Sequence, residues 1–270
     1  MNRVETIADH WTSPWKNRIR LFADLVFPRS CVLCLSPIME PNHESICVDC
    51  ELRIKPIDSG CLKCGAPIRM ELLSSSKLPK SCRHCEKRKW SFRRAHCYVP
   101  YRGTASKAVK KMKQAANETL AIELGNCFGR WLASRESFDL KKFECLIPIP
   151  QHWIRRVSQR YNQAEVLAEC ISRELRLPIE RKLLHRTRWT EKQGVKSLQN
   201  RLKDVRDSFA CNPASSIVGS TILLVDDVVT SGATAHDASR ALKKAGAKCV
   251  EVAAFARAVG PSGYSIKADA

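Results

Sequence analysis

From Ile222 to Val225 every residue is apolar and two acids follow at once, the pattern of a central parallel strand covered on both faces. Elsewhere the apolar positions recur at helical spacing. In Trp15 to Phe27, Ile19, Phe22, Leu25 and Val26 share a face while Arg18, Arg20 and Asp24 take the others. This predicts an amphipathic helix that packs on the main domain or lies at a membrane surface, the first fate being the commoner. Leu124, Phe128, Trp131 and Leu132 predict a helix over 120–133, and Thr104 is expected to cap another that runs towards Lys113 after a turn at Gly103. Cys97 to Tyr101 reads as a short strand, Glu144 to Pro150 as one broken by Pro148 and Pro150, and Ile179 to Leu184 and Lys248 to Phe255 as later ones. Tyr161 to Leu175 reads as a helix, and Gly246 closes another. The alternation of strand and helix implies right-handed crossovers and a parallel α/β sheet. Between Leu184 and Phe209 lies a polar segment too long for a tight connection, and loops of that length are commonly functional or disordered.

Of fourteen cysteines, eight form four Cys-x2-Cys pairs: Cys31/Cys34, Cys47/Cys50, Cys61/Cys64 and Cys82/Cys85. A two-residue spacer aims both sulfurs at one tetrahedral ion, and two such knuckles close a four-thiolate shell with no position open for catalysis. Two structural zinc ions are expected. The intervening gaps of 12, 10 and 17 residues favour sequential pairing, with a cross-braced arrangement as the alternative. Disulfides explain the pattern less well, because cytoplasmic thiols stay reduced. The segment also holds few large apolar side chains, so metal binding must supply folding free energy. His43, His84 and His96 lie beside or outside a complete ligand set and read as surface or capping residues. Cys97, Cys127, Cys145, Cys170, Cys211 and Cys249 read as small buried hydrophobes.

Composition adds a partner class. The 270 residues carry 46 Lys and Arg against 27 acids, a formal +19, and two zinc ions on eight thiolates lower this only to +15. Such an excess points to an anionic partner, nucleic acid or a polyphosphate. Lys87-Arg88-Lys89-Trp90-Ser91-Phe92-Arg93-Arg94 interleaves cations with two aromatics: either a nucleic-acid contact with stacking rings or a linker whose rings dock on the core. No apolar stretch is long enough to cross a bilayer, and Asp9, Trp11 and Lys16 break up any secretion signal, so a cytoplasmic protein is expected.

The strand at 222–225 leads into Asp226-Asp227-Val228-Val229-Thr230-Ser231-Gly232-Ala233-Thr234. Carboxylates at a strand's carboxyl end, then a hydroxyl-rich turn with a glycine opening a helix, make a cradle for a phosphate monoester. The Walker A and dinucleotide-binding glycine patterns are absent. This segment resembles the signature of type I phosphoribosyltransferases, in which the acids hold the ribose hydroxyls of phosphoribosyl pyrophosphate (PRPP) and the turn holds its 5′-phosphate.

With the knuckles, Tyr101-Arg102-Gly103, Lys113, Pro148-Ile149-Pro150-Gln151-His152 and Tyr161-Asn162-Gln163 in this order, the chain resembles the ComF family of competence-associated proteins over about residues 20–257. Arg160 and Asp204 depart from residues common in that family. The resemblance implies a parallel-sheet type I phosphoribosyltransferase-like domain (96–257) preceded by a double zinc ribbon (30–95), with an N-terminal segment (1–29) and a tail (258–270). It implies that Asp226 and Asp227 act in catalysis, directly or through Mg2+, and that Thr230, Ser231, Gly232, Ala233 and Thr234 bind the 5′-phosphate. Ile149, Pro150, His152, Arg155 and Arg156 then fall where pyrophosphate binds, and Arg186, Arg188, Lys192 and Arg201 on a loop that closes over the reaction. Thr230 stands where purine-salvage relatives carry an aspartate base, which disfavours a purine acceptor. Single-stranded DNA and DNA-uptake proteins are the implied partners, with PRPP sensing without transfer as the alternative function.

Overall fold

The computed structural model describes residues 29–40, 43–68, 82, 84–86, 88–151, 161–187, 206–212 and 217–259. The helix expected over 15–27 lies outside them. A four-stranded parallel sheet has the order β1 (Ala95–Pro100), β6 (Cys249–Arg257), β5 (Thr221–Val229), β2 (Cys145–Pro148). The all-apolar run lies at its centre: Ile222 to Val225 are fully buried and pair with Cys145 to Pro148 on one side and Val250 to Ala253 on the other. On one face, Leu223, Val225 and Phe255 meet helices α2 (Gly103–Met112), α3 (Glu118–Ala133) and α4 (Gln163–Leu175). On the other, Ile222, Leu224 and Ile147 meet α5 (Ala233–Lys244). No helix among the described residues is long and apolar enough to cross a membrane.

Two expectations change. The strand foreseen over 179–184 shrinks to a single bridge from Ile179 to Leu146; Leu184–Arg186 (β3) instead pairs antiparallel with Phe209–Cys211 (β4). Glu180, Arg181 and Lys182 are three successive exposed charges, which no doubly covered strand can accommodate. Thr104 does not cap α2, because the helix starts one residue earlier, with extended Arg102 at its N-cap.

The cysteine-rich segment is not self-contained. A short helix, α1 (Val48–Leu52), and the apolar residues Ile38, Ile46 and Ile54 join the core under α2 and α3, and Ile57 joins the opposite one. The first ribbon is held by Glu123 on α3, which accepts hydrogen bonds from the amides of Glu44 and Ser45 (3.0 Å for Ser45). The second rests on β1. There His96, expected at the surface, is buried and bonded to Glu251 of β6 at 2.8 Å, and Glu251 also meets Lys142 (2.9 Å) and Arg93 (3.1 Å).

Candidate functional site

β5 outruns β2. Pro148 and Pro150 carry no N–H, so the ladder between these strands ends with Ile149 N–H donating to Val225 O at 2.8 Å. Beyond it Asp226 to Val229 pair only with β6, and the edge they leave opens on the loop after β2. This is where the sheet reverses its winding: the chain leaves β2 through α4 to one side and β5 through α5 to the other, the place where open α/β sheets bind ligands. Tyr161-Asn162-Gln163 shapes the crevice floor. The Asn162 side chain caps α4 by accepting from Ala164 N (3.1 Å) and donates to Ile149 O (3.1 Å), while Gln163 accepts from Gln151 (2.6 Å). Ile149 and Pro150 are thus at the crevice; His152, Arg155 and Arg156 lie outside the described residues.

The acids sit within the strand, so successive residues take opposite faces. Asp227 shares the face of Leu223 and Val225, where Lys113, just beyond α2, places Nζ 2.6 Å from its Oδ2. The Tyr161 hydroxyl donates to the carbonyls of Met112 and Gln114, fixing the turn that carries Lys113. Burial alone would push the Asp227 carboxyl up, but the Lys113 charge and hydrogen bond outweigh it and hold it below the ordinary range. Asp226, on the other face, is pushed well above that range by burial and then by the neighbouring Asp227 charge. The pair therefore offers one carboxylate and one carboxyl that keeps its proton to higher pH, an arrangement suited to hydroxyl ligands that must both donate and accept.

Thr230 is exposed and Ser231 buried; Gly232, at φ +80°, is the left-handed N-cap of α5. Gly232 has no side chain to cap this helix, Ser231 Oγ accepts from Ala233 N at 3.3 Å, and no acid lies in the first turn, so the positive end stands uncompensated by an acid beside Thr230 and Thr234. The cradle residues are together, as their sequence order implies. Behind them stand groups that the sequence did not single out. Buried Arg257 donates Nε to Cys64 O (2.9 Å) and Nη1 to Val229 O (3.0 Å), Thr230 O (2.5 Å) and Ala258 O. Arg88 donates to Ser231 O at 3.3 Å, and a Cβ on Gly232 would stand 3.2 Å from the Trp90 ring. The signal for Arg257 is a lone cation closing the apolar run of β6.

Arg186 lies on β3 with its guanidinium 5.5 Å from the Phe209 ring centre, at the stem of the long loop; Arg188, Lys192 and Arg201 fall outside the described residues. Asp237 of α5 anchors the returning strand, accepting from the amides of Asp207 (3.2 Å) and Ser208 (2.9 Å), and Arg240 bridges Asp237 and Asp207. The loop's base and the cradle thus share one helix.

The knuckles pair sequentially: Cys31, Cys34, Cys47 and Cys50 form one cluster and Cys61, Cys64, Cys82 and Cys85 the other, with the sulfurs of each within 4.8 Å of one another. Contacts of 3.6 Å between Cys34 and Cys47, Cys61 and Cys85, and Cys64 and Cys82 are close to the edge of about 3.8 Å of a tetrahedron with Zn–S bonds of about 2.3 Å, and far from a disulfide. The donors fit structural zinc.

The basic, aromatic segment after Cys85 is a strap rather than a stacking platform. Phe92 is buried and stacked with Trp90 at 5.4 Å, Trp90 also meets His236, and Arg88, Arg93 and Arg94 bond to Ser231, Glu251 and Ser137. Its rings dock on the core, the second of the two alternatives the sequence offered; Lys89 is exposed.

A family model described as phosphoribosyl transferase domain matches residues 162–265, and one described as double zinc ribbon domain matches residues 22–86. Half the sheet and Lys113 lie between the two matches. The DNA utilization protein YhgH of Escherichia coli (strain K12) is 26% identical over 230 residues, covering 84% of this chain and 96% of that protein. Competence protein F of Haemophilus influenzae is 26% identical over 232 residues with the same coverage, and competence protein ComFC of Bacillus subtilis (strain 168) is 29% identical over 228 residues, 81% of this chain and 85% of that one. Among solved structures, the glutamine PRPP amidotransferase from B. subtilis covers 50% of this chain and 26% of its own at 19% identity, with a TM-score of 0.34, too loose an overlap to carry any argument.

Proposed function

The chain belongs to the ComF family, a double zinc ribbon fused to a phosphoribosyl transferase domain, and from that premise we propose that the crevice between β2 and β5 binds PRPP. The observation that carries the reading is that β5 outruns β2, so the edge of β5 bearing Asp226 and Asp227 and leading into the cradle is left without a neighbouring strand. The α5 amides with the Thr230 and Thr234 hydroxyls take the 5′-phosphate, as a helix N-terminus favours. Asp226 and Asp227 face the ribose hydroxyls, and Ile149, Pro150, His152, Arg155 and Arg156 receive the pyrophosphate. A Mg2+ ion arriving with the ligand would neutralise charge on the departing pyrophosphate. In transfer, the bond from the anomeric carbon to pyrophosphate breaks as positive charge grows on the ring, and ionised Asp227 stabilises that charge from a site Lys113 keeps deprotonated.

A second reading, sensing of PRPP without transfer, is favoured by Thr230, which puts a hydroxyl where an acceptor's base would stand. In either case the chain is a cytoplasmic protein that loads two structural zinc ions and serves uptake of single-stranded DNA, as the competence and DNA-utilization names of its relatives and its +19 formal charge support. Calorimetric titration with PRPP and Mg2+ tests the site: binding is expected in the native chain and lost in Asp226→Asn/Asp227→Asn, and equal heats would overturn it. Pyrophosphate release on adding bases, nucleotides or single-stranded DNA separates transfer from sensing. Direct DNA binding is expected to weaken steeply with salt.

A further inference from the structure

We infer that the second thiolate cluster, loaded with zinc, and the cradle at 230–234 form one coupled unit, so that filling either site tightens the other. The inference rests on the reading of the cradle as a phosphate site and adds to it a named physical link. Four consecutive residues, Val229 and the first three of the cradle, are each held from behind by the second ribbon, by the segment after it or by Arg257. Arg257 bonds Val229 O and Thr230 O and, through Nε, the carbonyl of the zinc knuckle residue Cys64. Arg88, three residues past Cys85, bonds Ser231 O, and its own carbonyl accepts from Lys63, between the knuckle cysteines Cys61 and Cys64. Trp90 lies flat against Gly232, with Arg88 over its ring at 5.4 Å.

Charge supplies the sign. Arg257 is 4% exposed, and no carboxylate of the described residues pairs with it. Four thiolates around one Zn2+ carry a net −2, so the loaded cluster is the buried guanidinium's counter-charge. Loss of zinc removes the ion that fixes the Cys61–Cys64 knuckle, so the Cys64 carbonyl and Lys63, which hold Arg257 and Arg88, lose their fixed place and the latch on Val229, Thr230 and Ser231 loosens. A phosphate seated on the cradle orders the same backbone from the front, and by linkage must favour zinc in the cluster. The first ribbon is the internal control: its polar contacts to the domain run to Glu123 and Cys127 of α3, away from the cradle.

The test uses full-length, zinc-loaded protein and ribose 5-phosphate, which bears the phosphate without the pyrophosphate. Binding heat is measured first, then the equilibrium partition of zinc between the protein and a competing chelator with and without saturating ligand. One of the two zinc ions is expected to be held about tenfold more tightly with ligand. Cys34→Ser, which unloads the first cluster, keeps the protected ion. Arg257→Lys abolishes the protection, and Arg88→Met, at a partly exposed residue, reduces it in a chain that retains Arg257, so a misfolded Arg257 variant leaves the idea testable. Binding heat with equal zinc affinities overturns the coupling and leaves the phosphate site standing; no binding heat overturns both.

Discussion

The turn from Cys31 to Ile38 and the turn from Cys61 to Ile68 repeat one another hydrogen bond for hydrogen bond. Cys31 N–H donates to Ser36 O as Cys61 N–H does to Ala66 O, Leu35 to Cys31 O as Gly65 to Cys61 O, and Ile38 to Arg29 O as Ile68 to Ser59 O, all at 2.8–2.9 Å. Leu35 and Gly65 occupy the same place at the same φ of +67°. Their surroundings differ. Leu35 is 76% exposed, whereas a Cβ on Gly65 would come within 2.5 Å of Cys97 Sγ and 2.8 Å of Ala95 O. A left-handed residue need not be glycine for its dihedral alone; glycine is required where a neighbour occupies the space of a side chain. One backbone unit thus serves twice, once at the surface and once pressed onto β1 beside the cradle.

Exchanging the two residues breaks the comparison most sharply. Gly65→Leu must push the second ribbon off β1, an overpacking added to left-handed strain, and is expected to destabilise by about 3 kcal/mol or more. Chemical unfolding of the zinc-loaded protein measures it; a change below about 1 kcal/mol would mean that the ribbon yields and that its seat is not fixed. A second contrast lies in the glutamates beneath the ribbons, Glu251 buried and Glu123 half-buried. Burial works against ionised Glu251, but His96 and Lys142 more than compensate and bring it to about 2, below its ordinary 4.5. That stabilisation is complete above pH 4.5 and is lost as pH falls from 4.5 towards 2, about 3 kcal/mol in all. Burial depresses His96, so its contribution fades as pH drops below about 6.5. Glu123 is shifted the other way by burial, so ionisation weakens the first seat as pH rises past 4.5. Hydrogen exchange, corrected for intrinsic rates, should show 94–99 loosening on acidification from pH 7 to 5, as His96 loses its contribution, while 43–50 hold; parallel loosening would refute the contrast.

Much of this was legible in residue order because local rules dominate: the apolar run of β5, the Cys-x2-Cys spacing and the turn at Gly232 each constrain the backbone nearby. The sequential pairing of knuckles followed from gap lengths for the same reason. What stayed hidden depends on distant partners. Lys113 and Asp227 are joined only because the turn after α2, held by the Tyr161 hydroxyl, reaches the carboxyl end of β5. The fate of Trp90 and Phe92 turned on a stack against Gly232 and His236 that no local periodicity encodes. Ile179 to Leu184 misled because an apolar, β-branched start masks three charges that forbid a covered strand.

Glu123→Ala probes the first seat at smaller cost. It leaves the amides of Glu44 and Ser45 without their carboxylate and is expected to destabilise by about 2 kcal/mol, with faster exchange over 43–50 and unchanged PRPP affinity. A fall in PRPP affinity would show that the first ribbon also reaches the cradle and would remove its standing as the uncoupled twin.

The smallest effect is the most discriminating for the repeat itself. At Leu35 the left-handed backbone costs a leucine about 1 kcal/mol, and nothing buries the side chain in return. Asparagine tolerates that conformation and loses less freedom on folding than glycine, so Leu35→Asn is expected to raise stability by about 0.5 kcal/mol, read as a shift in urea midpoint with the slope unchanged. Leu35→Gly should come out near neutral, because relief of strain is offset by the greater freedom of the unfolded chain. If Leu35→Asn instead destabilises by 1 kcal/mol or so, the exposed leucine is packed against something in solution, and the first ribbon, like the second, has a seat to fill.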